Sequence, residues 1–135
     1  MDNLLKIVVA VGGSAASFLY GGWSSLLNIL LAFVIIDYVS GVIAASIEGK
    51  LSSRIGLIGI ARKVTIFAIV AVSHMVDYAL GDAHMFRDAA IFFFLANELI
   101  SFLENAGRTG APVPPFLKKA IAALKGKGGD NDISR

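Results

Sequence analysis

Apolar residues run along this chain in four long stretches, separated by short polar or glycine-containing breaks. The clearest is Ser24–Ile47, whose one formal charge is Asp37. Val64–Leu80 follows Arg62-Lys63 and contains His74 and Asp77. Ala89–Leu103 is shorter and includes Ile91-Phe92-Phe93-Phe94-Leu95, then Asn97 and Glu98. Leu4–Tyr20 is the weakest, interrupted by Lys6 and rich in glycine and serine. Crossing ~30 Å of hydrocarbon at 1.5 Å per residue takes about 20 mainly apolar residues. The four stretches approach that length and predict helices over 4–20, 24–47, 64–80 and 89–103.

The breaks have their own chemistry. Gly21-Gly22 punctuates the first, and Gly81-Asp82 opens the third, which is polar to Asp88 apart from Met85 and Phe86. The second, Glu48–Lys63, is longer and reads as a basic loop. After Leu103, Pro112, Pro114 and Pro115 end any continuous helix. The chain therefore divides into a helical membrane domain over 1–110 and a segment over 111–135. In the latter, Phe116–Lys125 suits a short basic amphipathic helix, and Gly126–Arg135 a disordered polar tail.

Composition agrees with lipid as the solvent. Of 135 residues, 56% are hydrophobic and 16% charged, against ~25% charged in ordinary soluble domains. Mean hydropathy is +0.75. The absence of cysteine excludes disulfides, thiol catalysis and cysteine-based zinc sites. A net charge of +2 without a long Lys/Arg stripe argues against nucleic acid as a partner. Walker, Gly-x-Ser-x-Gly and His-Glu-x-x-His motifs are missing, so neither enzymatic activity nor a cofactor or metal is expected.

Lys and Arg set the expected orientation, because positive charge is retained on the cytoplasmic side. Glu48–Lys63 holds Lys50, Arg54, Arg62 and Lys63, and the segment after Leu103 holds six basic residues, Lys118 and Lys119 among them. Gly21–Trp23 has none, and Gly81–Asp88 has one Arg against two Asp. Both basic segments, and the C-terminus, are thus expected inside. Four spans put the N-terminus inside as well. The alternative is three spans plus an amphipathic N-terminal helix, with the N-terminus outside. A cleavable signal competes for the first stretch, since Ser14-Ala15-Ala16-Ser17 offers small residues for cleavage, but Asp2 and the single Lys6 weaken that reading.

Polar residues within lipid-length helices are informative. Gly13, Ser17 and Gly21 form a small-residue ladder suited to close helix packing, either inside one subunit or between subunits. Asp37 lies mid-span, where a charge costs ~2.5–3.5 kcal/mol on insertion scales. Ser40, Gly41, Ala44 and Glu48 share its face, and Arg62, Lys63 or a neighbouring subunit are its candidate partners. His74 and Asp77 share a face of the third helix, a pair able to relay protons or bind a metal. The competing and preferred reading is structural. In the fourth helix Asn97, Glu98, Ser101, Glu104 and Asn105 make a polar stripe for lining water or binding another helix. Four short helices enclose little interior, so these polar faces predict self-association into a homo-oligomeric ring or similar assembly.

Asp37-Tyr38-x-x-Gly41, Ser53-x-x-Gly56-x-x-Gly59-x-x-Arg62-Lys63 and Asp77-Tyr78 occur here in that order. They are followed by Asn97-Glu98-Leu99-Ile100-Ser101-x-x-Glu104-Asn105-Ala106 and Gly110-x-Pro112-x-Pro114. The ordered set, running from about Leu26 to Lys125, resembles the phage holin family, which includes toxin-secretion holins. The resemblance implies a small multi-pass protein of the bacterial inner membrane that oligomerises at a set time into pores or lesions. Such lesions collapse the membrane potential and release an endolysin, or a toxin, for host-cell lysis. The endolysin is then a functional partner without necessary direct contact; the physical partners are membrane lipid and further copies of the chain. Two other functions fit the residues: a small proton-coupled transporter or ion channel using an embedded carboxylate, and a non-pore assembly subunit.

Overall fold

A computed structural model describes residues 2–81 and 83–129. Among them the chain is helical outside short turns: α1 (Asp2–Tyr20), α2 (Ser25–Ile47), α3 (Ser53–Ala79), α4 (Met85–Arg108) and α5 (Pro115–Gly129). Asp82 of the third break and the tail beyond Gly129 lie outside the described residues.

Each helix start has a local cause. Ser24 caps α2, its Oγ accepting from Leu27 N at 3.3 Å. Ser52 caps α3 in the same way, accepting from Ile55 N at 3.2 Å. That cap starts α3 well before the predicted Val64, so Arg54, Arg62 and Lys63 are helical rather than in a loop. Gly56 and Gly59, which favour a loop in isolation, are packed under Tyr38. A Cβ at either would lie 3.3 Å from the tyrosine side chain, and Tyr38 Oη donates to Gly56 O at 3.3 Å. Pro115 opens α5, at the helix end where its missing N–H costs nothing. α5 continues through the glycine-rich stretch to Gly129, where the sequence suggested disordered tail.

α4 also exceeds its predicted span at both ends. His84 precedes it in a left-handed conformation (φ 55°) and makes no side-chain capping hydrogen bond. The cap comes from α3 instead. Asp77 Oδ1 and Oδ2 accept from Phe86 N and Arg87 N, each at 2.8 Å. A residue distant in sequence thus fixes where α4 begins.

α2, α3 and α4 form the bundle. Leu27 and Leu30 of α2, Val70 of α3 and Ile91 of α4 are fully buried and pack with Val34 into one core. α2 and α4 run side by side in the same direction, since Leu30 meets Ile91 at one end while Glu48 meets Arg108 at the other. α3 runs antiparallel to both. α1 differs: residues 2–15 are all exposed, and the helix touches the bundle only through its last turn.

Three helices, α1, α2 and α3, are long and apolar enough to cross a membrane by length and composition. α4 falls short of that measure because Arg87, Asp88, Glu98, Glu104 and Arg108 interrupt it. The N-terminal helix, weakest by eye, qualifies because a single Lys and one terminal Asp are its only charges.

Leu30→Ala leaves a cavity at the centre of the bundle and is expected to cost about 2–5 kcal/mol. Unfolding of the detergent-solubilised chain measures the loss.

Candidate functional site: an ion cluster shared by three helices

Asp37 of α2, Lys63 of α3 and Glu98 of α4 meet inside the bundle, halfway along its length. Asp37 and Glu98 are 3% and 4% exposed. Lys63 Nζ donates to Glu98 Oε1 at 2.8 Å and Oε2 at 2.7 Å, and to Asp37 Oδ2. One ammonium therefore serves two carboxylates on different helices. The formal charges, two negative and one positive, leave the cluster at −1.

The network continues along α4. Asn105, two turns after Glu98 and buried, donates from Nδ2 to Asp37 Oδ1 at 2.9 Å, Asp37 O at 3.1 Å and Ser40 Oγ at 3.1 Å. Gly41 makes room for it, since a Cβ there would sit 3.3 Å from Asn105 Nδ2. Asn105 Oδ1 accepts from Arg108 Nη1 at 3.2 Å, and Arg108 clasps Glu48 at the end of α2. Its hydrogen bond holds the Glu48 carboxyl below the ordinary value, and Glu48 in return raises the guanidinium. A cleft of about 240 Å³ opens beside this chain of polar groups, lined by Asp37, Tyr38, Lys63, Ser101, Asn105 and Arg108 among others.

The sequence residues separate clearly on this framework. Asp37, Ser40, Gly41, Glu98, Ser101 and Asn105 come together. Asn97 and Glu104, from the same predicted stripe, are exposed. Lys63 leaves the set of cytoplasmic basic residues and becomes the centre of the cluster, whereas Lys50, Arg54, Arg62, Lys118 and Lys119 are exposed. Gly13 has nothing within 4 Å of a would-be Cβ and Ser17 is exposed, so the small-residue ladder is unpacked up to Gly21. His74 and Asp77 lie at the far end of α3, where Asp77 is occupied in capping α4.

This arrangement corrects the reason given for self-association. Asp37 and Ser40 of α2 and Glu98 and Asn105 of α4 turn toward each other and toward Lys63, so these groups are satisfied within one chain. Two residues escaped the sequence reading. Arg87 is buried and donates from Nη1 to Tyr20 O at 2.7 Å, but a lone arginine in a short turn gives no signal of this. Arg108 lies three residues after Asn105, and that register was the available clue to its pairing with Glu48, which falls on the Asp37 face as expected. Among the described residues no group of three His, Asp or Glu side chains is arranged to hold a metal.

Removing Lys63 strands two buried carboxylates. Lys63→Met is expected to destabilise the bundle by about 3–5 kcal/mol, whereas Glu98→Gln, which balances the cluster at one acid and one base, costs far less. Comparing the two in one unfolding assay checks this; equal losses would contradict the shared-ammonium account. The Glu48 clasp has the opposite pH sense from a buried base. A carboxyl held below 4.5 stabilises above that pH and loses its contribution as the pH falls through the lowered value. The small stability gap between wild type and Glu48→Gln is therefore expected to close on acidification below 4.5.

Comparison with known proteins agrees with this helical, membrane-length architecture. Residues 14–126 match the family model described as the bacteriophage holin family. An uncharacterized protein of Halalkalibacterium halodurans is 53% identical, covering 93% of this chain and 97% of its own. One from Listeria innocua is 43% identical, covering 98% and 94%. A probable holin of Bacillus phage phi105 is 30% identical, covering 87% of this chain and 84% of that one. No solved structure matches the chain. With the match running through the whole bundle and into α5, the chain belongs to the bacteriophage holin family.

Proposed function

We propose that this chain assembles in the bacterial cytoplasmic membrane and opens it, collapsing the membrane potential and releasing a cell-wall hydrolase or a toxin. Family membership supports the lesion, and the ion cluster is the observation that carries the mechanism. In the closed bundle Lys63 neutralises one of the two buried carboxylates. Separating α2, α3 and α4 in dry lipid would strand all three charges, each at a cost of several kcal/mol. Separating them around water would not. The cluster therefore holds single copies shut and favours opening only where neighbouring copies enclose a hydrated centre.

The topology in this reading has four crossings, with α4 carried through the bilayer by its partners α2 and α3. Both basic ends, the α2–α3 turn with Lys50 and Arg54 and the region of Lys118 and Lys119, face the cytoplasm, where anionic lipid attracts them. The two turns at the opposite end, poor in Lys and Arg, face out.

Induction of the gene in a bacterium, with membrane potential, growth and release of a cytoplasmic enzyme followed together, tests the proposal. Abrupt loss of potential with enzyme release is expected. Selective flux without killing would instead favour proton-coupled transport through the cleft beside Asp37, and no effect on either would favour an anchoring subunit. Asp37→Leu and Glu98→Leu are expected to shift the time of lysis or the size of the assembly. Unaltered timing and size in both would remove the cluster from the mechanism.

A further inference from the structure

Asn97 and Glu98 are neighbours at the middle of α4, yet they meet different surroundings. Glu98 turns into the ion cluster, whereas Asn97 is exposed on the outer side of the bundle. The helix has 24 residues, so Asn97 stands about 18 Å from either end at 1.5 Å per residue. Among the described residues nothing hydrogen-bonds to its side chain, and it does not bond back to its own helix. In the four-crossing topology this amide lies at the centre of the bilayer. Hydrocarbon offers it neither donor nor acceptor, which makes an unmet amide there strongly unfavourable.

The positions around Asn97 have a period. Phe86, Ala90, Phe93, Asn97, Ile100 and Glu104 follow one another at alternating steps of four and three. That is the a/d spacing by which helices wind around each other knobs-into-holes, with Asn97 at an a position. None of the six is buried. Phe86 and Phe93 are 47% and 62% exposed, and Ala90 and Ile100 are half-buried. The inward face of α4 runs instead through Arg87, Ile91, Glu98 and Asn105. The helix thus has one face for its own bundle and a second seam turned outward. Glu104, the last position of that seam, lies near its end, where the Arg108 guanidinium feels its charge.

We propose that the outer seam of α4 docks a second copy of this chain, with the two Asn97 amides hydrogen-bonded to each other across the contact. The inference rests on the four-crossing topology above and adds the surface through which copies meet. Lipid tails cannot satisfy an amide, so a protein partner is required. Copies inserted in one orientation carry Asn97 at one depth, and a two-fold axis along the bilayer normal brings amide to amide. A carboxamide both donates and accepts, so the same side chain serves both halves of a self-complementary contact. A single Asn at an a position also fixes register, because any slip leaves both amides unmet. The ion cluster keeps its place, since Glu98 faces the other helices of its own bundle.

The chain has no cysteine, so one introduced thiol reports one position. The full chain carrying Phe93→Cys or Ile100→Cys is reconstituted in lipid vesicles and oxidised with iodine. Phe92→Cys and Leu99→Cys, at exposed positions off the seam, are the controls. Disulfide-linked dimers are expected at the two seam positions at about fivefold the control yield or more. Asn97→Leu, combined with Phe93→Cys, is expected to cut that yield about three- to tenfold, and Asn97→Gln to restore most of it. Thermal unfolding of the bundle is expected to stay unchanged in Asn97→Leu, because the amide makes no hydrogen bond within its own chain. Equal crosslinking at all four positions overturns the proposal. So does a yield that Asn97→Leu leaves unaltered, or labelling of Asn97→Cys by a membrane-impermeant maleimide, which places that position in water. Vesicles that stay sealed while the seam crosslinks support this contact and count against lesion formation.

Discussion

Two carboxylates and one ammonium, drawn from three helices, fix how this bundle closes. In a soluble protein the apolar core would dominate. In lipid the surroundings are as apolar as the core, so burial of leucine against leucine gives little direction and polar pairing gives much. Lys63 can satisfy Asp37 and Glu98 together only when α2, α3 and α4 stand at one depth and rotation. The core residues Leu27, Leu30, Val70 and Ile91 then fill the space this register leaves. Asn105 and Gly41 tighten the same α2–α4 seam, where the missing side chain of Gly41 leaves room for the Asn105 amide to reach Asp37.

The ends of the bundle follow different rules. At the end carrying Glu48 and Arg108 the pairing is exposed, so screening by water limits its worth and it acts as a clasp. At the opposite end, Asp77 is buried and holds the first turn of α4 through backbone amides. Its carboxylate meets the positive end of the α4 dipole, so its charge is matched without a cationic side chain. Arg87, freed from that task, reaches Tyr20 O and ties α1 to the bundle.

Much of this could be seen in the sequence, and what could not has a physical pattern. Asp37, Glu98 and Asn105 stood out because lipid makes any mid-helix polar group conspicuous. Lys63 was visible as a partner for Asp37, but its charge counted equally well toward a cytoplasmic loop. Choosing between these roles required knowing that α3 starts at Ser53, which depends on Tyr38 covering Gly56 and Gly59 from another helix. The start of α4 was hidden for the same reason, since its cap lies on α3. Helical periodicity reads one element at a time. It identified which faces are polar and had no means of stating whether they meet each other or a neighbouring copy.

That distinction changes what self-association requires. With Asp37, Glu98 and Asn105 satisfied inside one chain, these buried groups supply no drive for isolated copies to gather. One uncommitted surface is α1, exposed along residues 2–15 and joined to the bundle through a glycine elbow. A Cβ at its Gly13 would meet nothing within 4 Å, so close packing there remains open to another helix. Contacts through α1 would therefore leave the ion cluster undisturbed, and in the proposed function the opening of that cluster is a separate step. Under that proposal closed bundles can gather, because a contact made by α1 is not the interaction that must break for water to enter.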